Sequence, residues 1–131
     1  MTTETTLRTI SFTAAKPGLP ITLNERLYHL ERYRRDKTWQ DAAFWWAKQH
    51  KVNCRGATYP IEVYVEFGTN RPNQRRDPHN FVPTVKAICD GFTKAGVWPD
   101  DDSKHVHTSE PTFTNTIRAD SLRISLTWET S

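Results

Sequence analysis

Residues 61–67 constrain this chain more than any other stretch: Ile61, Val63, Val65 and Phe67 alternate with Glu62, Tyr64 and Glu66. Successive strand side chains point to opposite faces, so the pattern predicts a strand with one buried and one wetted face. Such a sheet needs a second layer over its apolar side, and two segments with helical periodicity can supply it. Between residues 38 and 50, Trp39, Ala42, Ala43, Trp46 and Ala47 share a face, with Thr38 placed as N-cap. Trp45 falls off that stripe and reads either as packed under a loop or as part of a subunit or DNA surface. Residues 81–95 predict the second helix, with Phe81, Val85, Ile88, Cys89 and Phe92 on its apolar side and Gly96 as C-cap. Pro83 is tolerable there because the first helical turn has unpaired N–H groups.

Residues 7–12 and 105–108 predict further strands, and Leu122, Ile124, Leu126 and Trp128 alternate in a terminal one. The order is strand, helix, strand, helix, then strands. The fold class expected is α+β: a two-layer sandwich of a mixed sheet with both helices packed on one face. A length of 131 residues allows one domain, 1–131, and leaves little room for two.

The formal charge of +3 is too mild to identify a nucleic-acid binder, but its distribution is polarised. Arg26, Arg32, Arg34, Arg35, Lys37, Lys48, Lys51 and Arg55 face only Glu31, Asp36 and Asp41 in the same stretch, while acid gathers at residues 100–102. That pattern fits a phosphate-tracking face beside an acidic pocket, and equally a solvated helix face. Cys54 and Cys89 stand alone, which indicates neither a zinc framework nor a disulfide scaffold. Residues 1–4 are polar with no apolar run behind them, so a cytoplasmic location without membrane association is expected.

Chemistry concentrates in Arg75-Arg76-Asp77-Pro78-His79-Asn80 and, one helix later, Trp98-Pro99-Asp100-Asp101-Asp102. Carboxylates converging from two loops suit a hard divalent cation, and arginines beside them suit phosphate oxygens. Metal-dependent phosphodiester chemistry is the expectation. Pro78 keeps Asp77 extended, and a continued extended run would turn Asp77 and His79 toward one cavity. His79 has three open readings: a ligand better suited to Mn²⁺ than Mg²⁺, a base for water, or a loop histidine bonded to backbone. Lys86 reads either as a cation near the scissile phosphate or as an i,i+4 partner of Asp90. His105 and His107 lack the companions a zinc set requires and read as surface histidines.

The string Arg76-Asp77-x-x-Asn80, then Lys86-Ala87-x-x-Asp90-x-x-Thr93-Lys94-Ala95-Gly96, then Trp98-x-Asp100-Asp101 resembles the RusA-type Holliday-junction resolvases of bacteria and their phages. Asn24-Glu25-Arg26 after the Pro-rich loop is similar to that family's Asn-rich loop. The resemblance is clear over residues 70–106. It implies a small homodimer that binds four-way DNA junctions and nicks two strands with Mg²⁺ or Mn²⁺ and no organic cofactor. Asp77 and Asp101 match its ligand aspartates and Lys86 its functional lysine. His79 stands where well-known members carry a second aspartate, and the Asn-to-Lys gap is longer here. Asp100 and Asp102 complete the candidate metal set, Asp102 as a possible substitute for the missing carboxylate. Arg71, Arg75, Arg76, Asn24, Arg26 and Asn80 are the candidate DNA contacts. The alternative reading is a junction-binding protein that has lost nuclease activity through His79. A third is an interaction module whose acidic loop merely attracts cations.

Overall fold

The computed structural model describes residues 5–54 and 56–130; the polar start at residues 1–4 and Arg55 of the basic stretch lie outside them. The elements are β1 (Thr6–Ala15), α1 (His29–Gln49), β2 (Ala57–Gly68), a 3-10 turn (Pro78–Phe81) leading directly into α2 (Val82–Lys94), β3 (Val106–Thr108), β4 (Thr112–Thr114) and β5 (Ser121–Thr130). They form the expected α+β arrangement, a mixed sheet layered with two helices.

β5 lies between β1 and β2 and pairs antiparallel with both, so Phe12, Ile124 and Val65 lie side by side across three strands. Their neighbours Leu122, Leu126, Phe67 and Val63 fill the same face, and all are buried. The opposite face is wetted and polar. There Ser11 meets Ser125 at 3.1 Å, and Glu66 takes a bidentate bond from Arg123 at 2.7 and 2.9 Å. β3 and β4 both pair parallel with the other edge of β2. They read as one strand interrupted near Pro111, which has no N–H to give a ladder. The short β4 has too few residues for an alternation, and the sequence pattern does not show it.

Helix α1 begins nine residues earlier than its apolar periodicity suggests, and Thr38 lies inside it rather than capping it. Its first turns carry no buried stripe, which is why a pattern search misses them. Side-chain pairs one turn apart sustain them instead: Arg35 bonds Glu31 at 3.0 Å, Lys37 meets Asp41 at 3.5 Å and Gln40 bonds Asp36 at 3.0 Å. Further along, Trp39, Ala43, Trp46 and Ala47 are buried as anticipated, while Trp45 is 65% exposed. Helix α2 ends as expected: Gly96 has φ +81°, and the N–H groups of Gly96 and Val97 return to the carbonyls of Thr93 and Phe92.

The Pro-rich loop after β1 is bound to both helices. Trp39 Nε1 donates to the Leu19 carbonyl at 2.9 Å, while the buried Thr84 hydroxyl accepts from Ile21 N and donates to Ile21 O, each at 2.8 Å. The helices themselves meet at Gly91. A Cβ added there would stand 2.3 Å from the Gln40 carbonyl oxygen and 2.7 Å from Ala43 Cβ. Gly91→Ala is therefore expected to force the helices apart and cost about 1–3 kcal/mol, the usual penalty of overpacking. Urea denaturation measures it; an unchanged midpoint would show that the two helices do not approach this closely.

Candidate functional site

The loop that follows β2 is organised by two cations. Arg76 donates to the carbonyls of Arg71 (3.0 Å) and Gln74 (3.3 Å), to Thr69 Oγ1 (2.8 Å) and to Gln74 Oε1 (3.2 Å). Its guanidinium also lies 4.8 Å from the centre of the Phe113 ring. Lys16 Nζ bonds the carbonyls of Gly68 (2.9 Å) and Ala119 (2.8 Å), closing the end of β1 against the end of β2. Burial depresses the Lys16 pKa, Asp120 opposes that, and the nearby Arg76 charge adds to it. Of the three arginines expected to hold phosphate, Arg71 and Arg75 are exposed. Arg76 holds its own loop in shape.

Asp77 is extended, as the following proline requires, with φ −96° and ψ 106°. The extended run stops there. Residues 78–81 turn as a 3-10 helix, so Asp77 and His79 do not face one cavity by strand alternation. Asp77 caps that turn, its Oδ1 accepting from His79 N at 3.1 Å and its carbonyl from Asn80 N at 3.0 Å. His79 Nδ1 lies 3.4 Å from Glu110 Oε1. Asn80 and Asn24 bond one another: Asn24 N donates to Asn80 Oδ1 at 2.8 Å, and Asn80 Nδ2 donates to Asn24 Oδ1 at 2.9 Å. These two asparagines, expected at DNA, fasten the Pro-rich loop to the Asp77 turn, and Arg26 stands exposed beside them.

The second acidic group is built around α2. Burial of Val85, Ile88, Cys89 and Phe92 leaves Lys86 and Asp90 at the rim, one turn apart. Lys86 Nζ bonds Asp90 Oδ1 at 3.2 Å, the expected i,i+4 pair, and also Asp101 Oδ2 at 3.3 Å. Burial, and then the hydrogen bond with Asp101, push the Asp90 carboxyl up to about 6. The same bond from Asp90, with Lys86 beside it, holds Asp101 below the usual carboxylate range. Of the two carboxyls, Asp101 therefore ionises first and Asp90 last. For Lys86, partial burial acts against the ammonium, but Asp90 and Asp101 outweigh it and raise its pKa.

A small cavity of about 130 Å³ opens beside this trio, lined by Val82, Lys86, Cys89, Asp101, Val106 and Thr108. Burial, with both carboxylates adding, raises the Cys89 thiol to about 12, so it is an inert wall. Asp100 and Asp102 serve the loop. Asp100 Oδ1 accepts from Asp101 N at 2.8 Å, and Asp102 Oδ1 lies 2.6 Å from His105 Nδ1. His105, read as a surface histidine, is mostly covered and packs edge-on against Tyr59.

The expected residues therefore fall into two sets: Asp77, His79 and Asn80 on the turn before α2 with Asn24 bonded to it, and Lys86 on α2 with Asp101 from the loop that follows. Among the described residues no bond or ion pair joins Asp77 to Asp101, and no three His, Cys, Asp or Glu converge to hold a metal ion. Asp102, proposed as the substitute carboxylate, is engaged by His105. Two participants escape the sequence reading. Asp90 registers there only as a salt-bridge partner, and Glu110, which meets His79 across the fold, gives no local signal. No protein-family model matches the chain, and no curated protein matches it.

Asp90 keeps its proton to about pH 6 in the folded chain, against 3.8 for an ordinary aspartate. Between those values the folded state binds the extra proton, so this group's stabilisation is lost as pH rises from about 4 to about 6. Asp101 shifts oppositely, at lower pH. Without divalent ions, wild type is expected to lose stability relative to Asp90→Asn across that window. Parallel pH–stability curves for the two would show that the carboxyls do not share a proton.

Proposed function

We propose that this protein is a divalent-metal-dependent endodeoxyribonuclease acting on branched DNA, four-way junctions above all, as a RusA-like resolvase. The observation that carries the reading is the Asp90–Asp101 pair. Two carboxylates bond one lysine, Asp101 and Lys86 lining a small cavity, with exposed arginines on the loop leading into the same helix. Adjacent carboxylates that resist joint ionisation gain from a cation, and their oxygens suit Mg²⁺ or Mn²⁺. The two carboxylates beside Lys86 suit such an ion in kind: Asp101 and Asp90 would hold it, while Asp77 and His79 stand apart on the turn before α2.

Bound there, the ion would polarise a water and neutralise charge building on the scissile phosphate. Lys86, released in part from its two carboxylates, would set a positive charge beside the same phosphate. Arg71, Arg75 and Arg26 are free to hold backbone phosphates on either side, which positions DNA without reading bases. Arg76, Asn24 and Asn80 position that surface from behind. The resemblance over residues 70–106 supports the same reading, and the paired nicks it implies call for two sites related by a twofold axis.

A synthetic four-way junction with Mg²⁺ or Mn²⁺ tests this. Asp101→Asn is expected to keep junction binding and slow nicking at least about a hundredfold, as loss of several kcal/mol of charge stabilisation would. Arg71→Ala and Arg75→Ala are each expected to weaken binding and lower the slope of log affinity against log salt by about one. Binding without cutting in either ion would make this a junction-binding protein. Equal affinity for linear duplex at moderate salt would remove the assignment altogether.

A further inference from the structure

A cavity of about 350 Å³ lies between α1 and the start of α2. It is lined by Lys86 and Asp90 from α2, by Arg32 and Asp36 from α1, and by Val82 and Pro83 at the first turn of α2. Lys86 and Val82 also line the smaller cavity beside Asp101, so the two adjoin at these residues.

Arg32 sets this cavity apart. It is exposed, and among the described residues its guanidinium has no hydrogen bond or ion pair. Asp36 stands one turn on, at the spacing of a helix ion pair, yet its Oδ2 accepts from Gln40 Nε2 at 3.0 Å instead. Other cations nearby are committed: Arg35 to Glu25 and Glu31, each at 3.0 Å, and Lys86 to Asp90 and Asp101. A guanidinium without a partner can take two phosphate oxygens and break no existing bond. The first turn of α2 does not compete for those oxygens, since Pro83 has no N–H and Val82 N donates to the His79 carbonyl.

We propose that this cavity is a second phosphate site: it seats the phosphodiester adjoining the one that is cut, on the strand that crosses Lys86, and Arg32 holds it. The carboxylates select the form of phosphate. Asp36 and Asp90 repel a second negative charge, so a singly charged diester suits the cavity better than a doubly charged terminal or free phosphate. The occupant is therefore internal DNA backbone, and the half-buried Val82 and Pro83 suit the deoxyribose carbons beside it. Arg32 thereby acts as a positioning residue: with the neighbouring phosphate fixed, the scissile one is held beside Asp101 and Lys86 in one orientation. The inference rests on the nuclease reading for which bond is cut; the contact itself needs only a DNA strand on this rim.

Four-way junctions carrying one uncharged methylphosphonate linkage at a time test it, with binding measured without divalent ions. Wild type is expected to lose about tenfold in affinity at one linkage near the crossover, the neighbour of the nicked one, as loss of one charged bidentate contact would cause. Arg32→Ala is expected to bind the unmodified junction about tenfold more weakly and to be indifferent to charge at that linkage, because two changes to one contact do not add. A merely structural role would leave the linkage effect in place. Arg32 has no partner to lose, so the variant is expected to fold; circular dichroism checks this, and Arg32→Gln repeats the comparison. An Arg32→Ala protein that keeps the full loss at every linkage overturns the proposal, and so does a chain that binds no junction. If the linkage effect depends on Arg32 but nothing is cut in Mg²⁺ or Mn²⁺, the nuclease reading fails and this contact stands. If junctions are cut and no linkage depends on Arg32, the reverse holds.

Discussion

The docking of α2 on the sheet and on α1 decides where most of the candidate chemistry stands. Val85, Ile88, Cys89 and Phe92 are buried together, and Gly91 brings the helix against the backbone of α1 at Gln40. A helix fixed so closely has no rotational freedom left. Lys86 and Asp90, a turn apart on its remaining side, must therefore emerge at the rim, where the loop through Asp101 returns. Thr84, on the buried side, binds the Pro-rich loop at Ile21. Its first turn grows out of the 3-10 turn that Asp77 caps. One packing event thus sets Asp90, Lys86 and the capped turn along one stretch of chain, to which the loop carrying Asp101 returns.

The basic residues divide by duty in a way that charge counting cannot foresee. Lys16 and Arg76 are turned inward onto carbonyl oxygens, where they replace the backbone pairing that irregular loops lack. Arg35 does the same for the Pro-rich loop, reaching Glu25 and Glu31 at 3.0 Å and the Pro20 carbonyl at 3.2 Å. Arg71, Arg75, Arg26 and Arg34 remain exposed. Only cations of this second kind can meet phosphate or another protein surface without first dismantling a loop.

The strands and the buried faces of both helices were legible because burial imposes a period, and Ile61, Val63, Val65 and Phe67 obey it without exception. The first turns of α1 were not, since their order comes from side-chain pairs that carry no hydrophobic period. β4 was hidden by its shortness. Within the site, Lys86 and Asp101 were placed together by resemblance, and the structure bonds them directly, with Asp90 as a second partner of the lysine. The extended run expected through Asp77 and His79 gave way at Pro78, because proline at the first position of a turn favours the tight helical geometry that follows. His79 consequently meets Glu110, a contact across more than thirty residues that no local pattern encodes.

The Asp90–Asp101 pair makes little sense as a stabilising device. A partly buried carboxyl that must keep its proton to about pH 6 weakens the fold above that pH, and Lys86 offsets this only in part. An asparagine at position 90 could bond Lys86 and Asp101 without that conflict. What the two acids provide instead is a pair of carboxylate oxygens on either side of one ammonium, at 3.2 and 3.3 Å from Lys86 Nζ. Under the proposed function, Asp90 and Asp101 would hold an ion with the same oxygens that now bond Lys86, which would leave that ammonium nearer a phosphate. That competition follows from the two bonds to Lys86, and it links the geometry of the resting site to the chemistry proposed above.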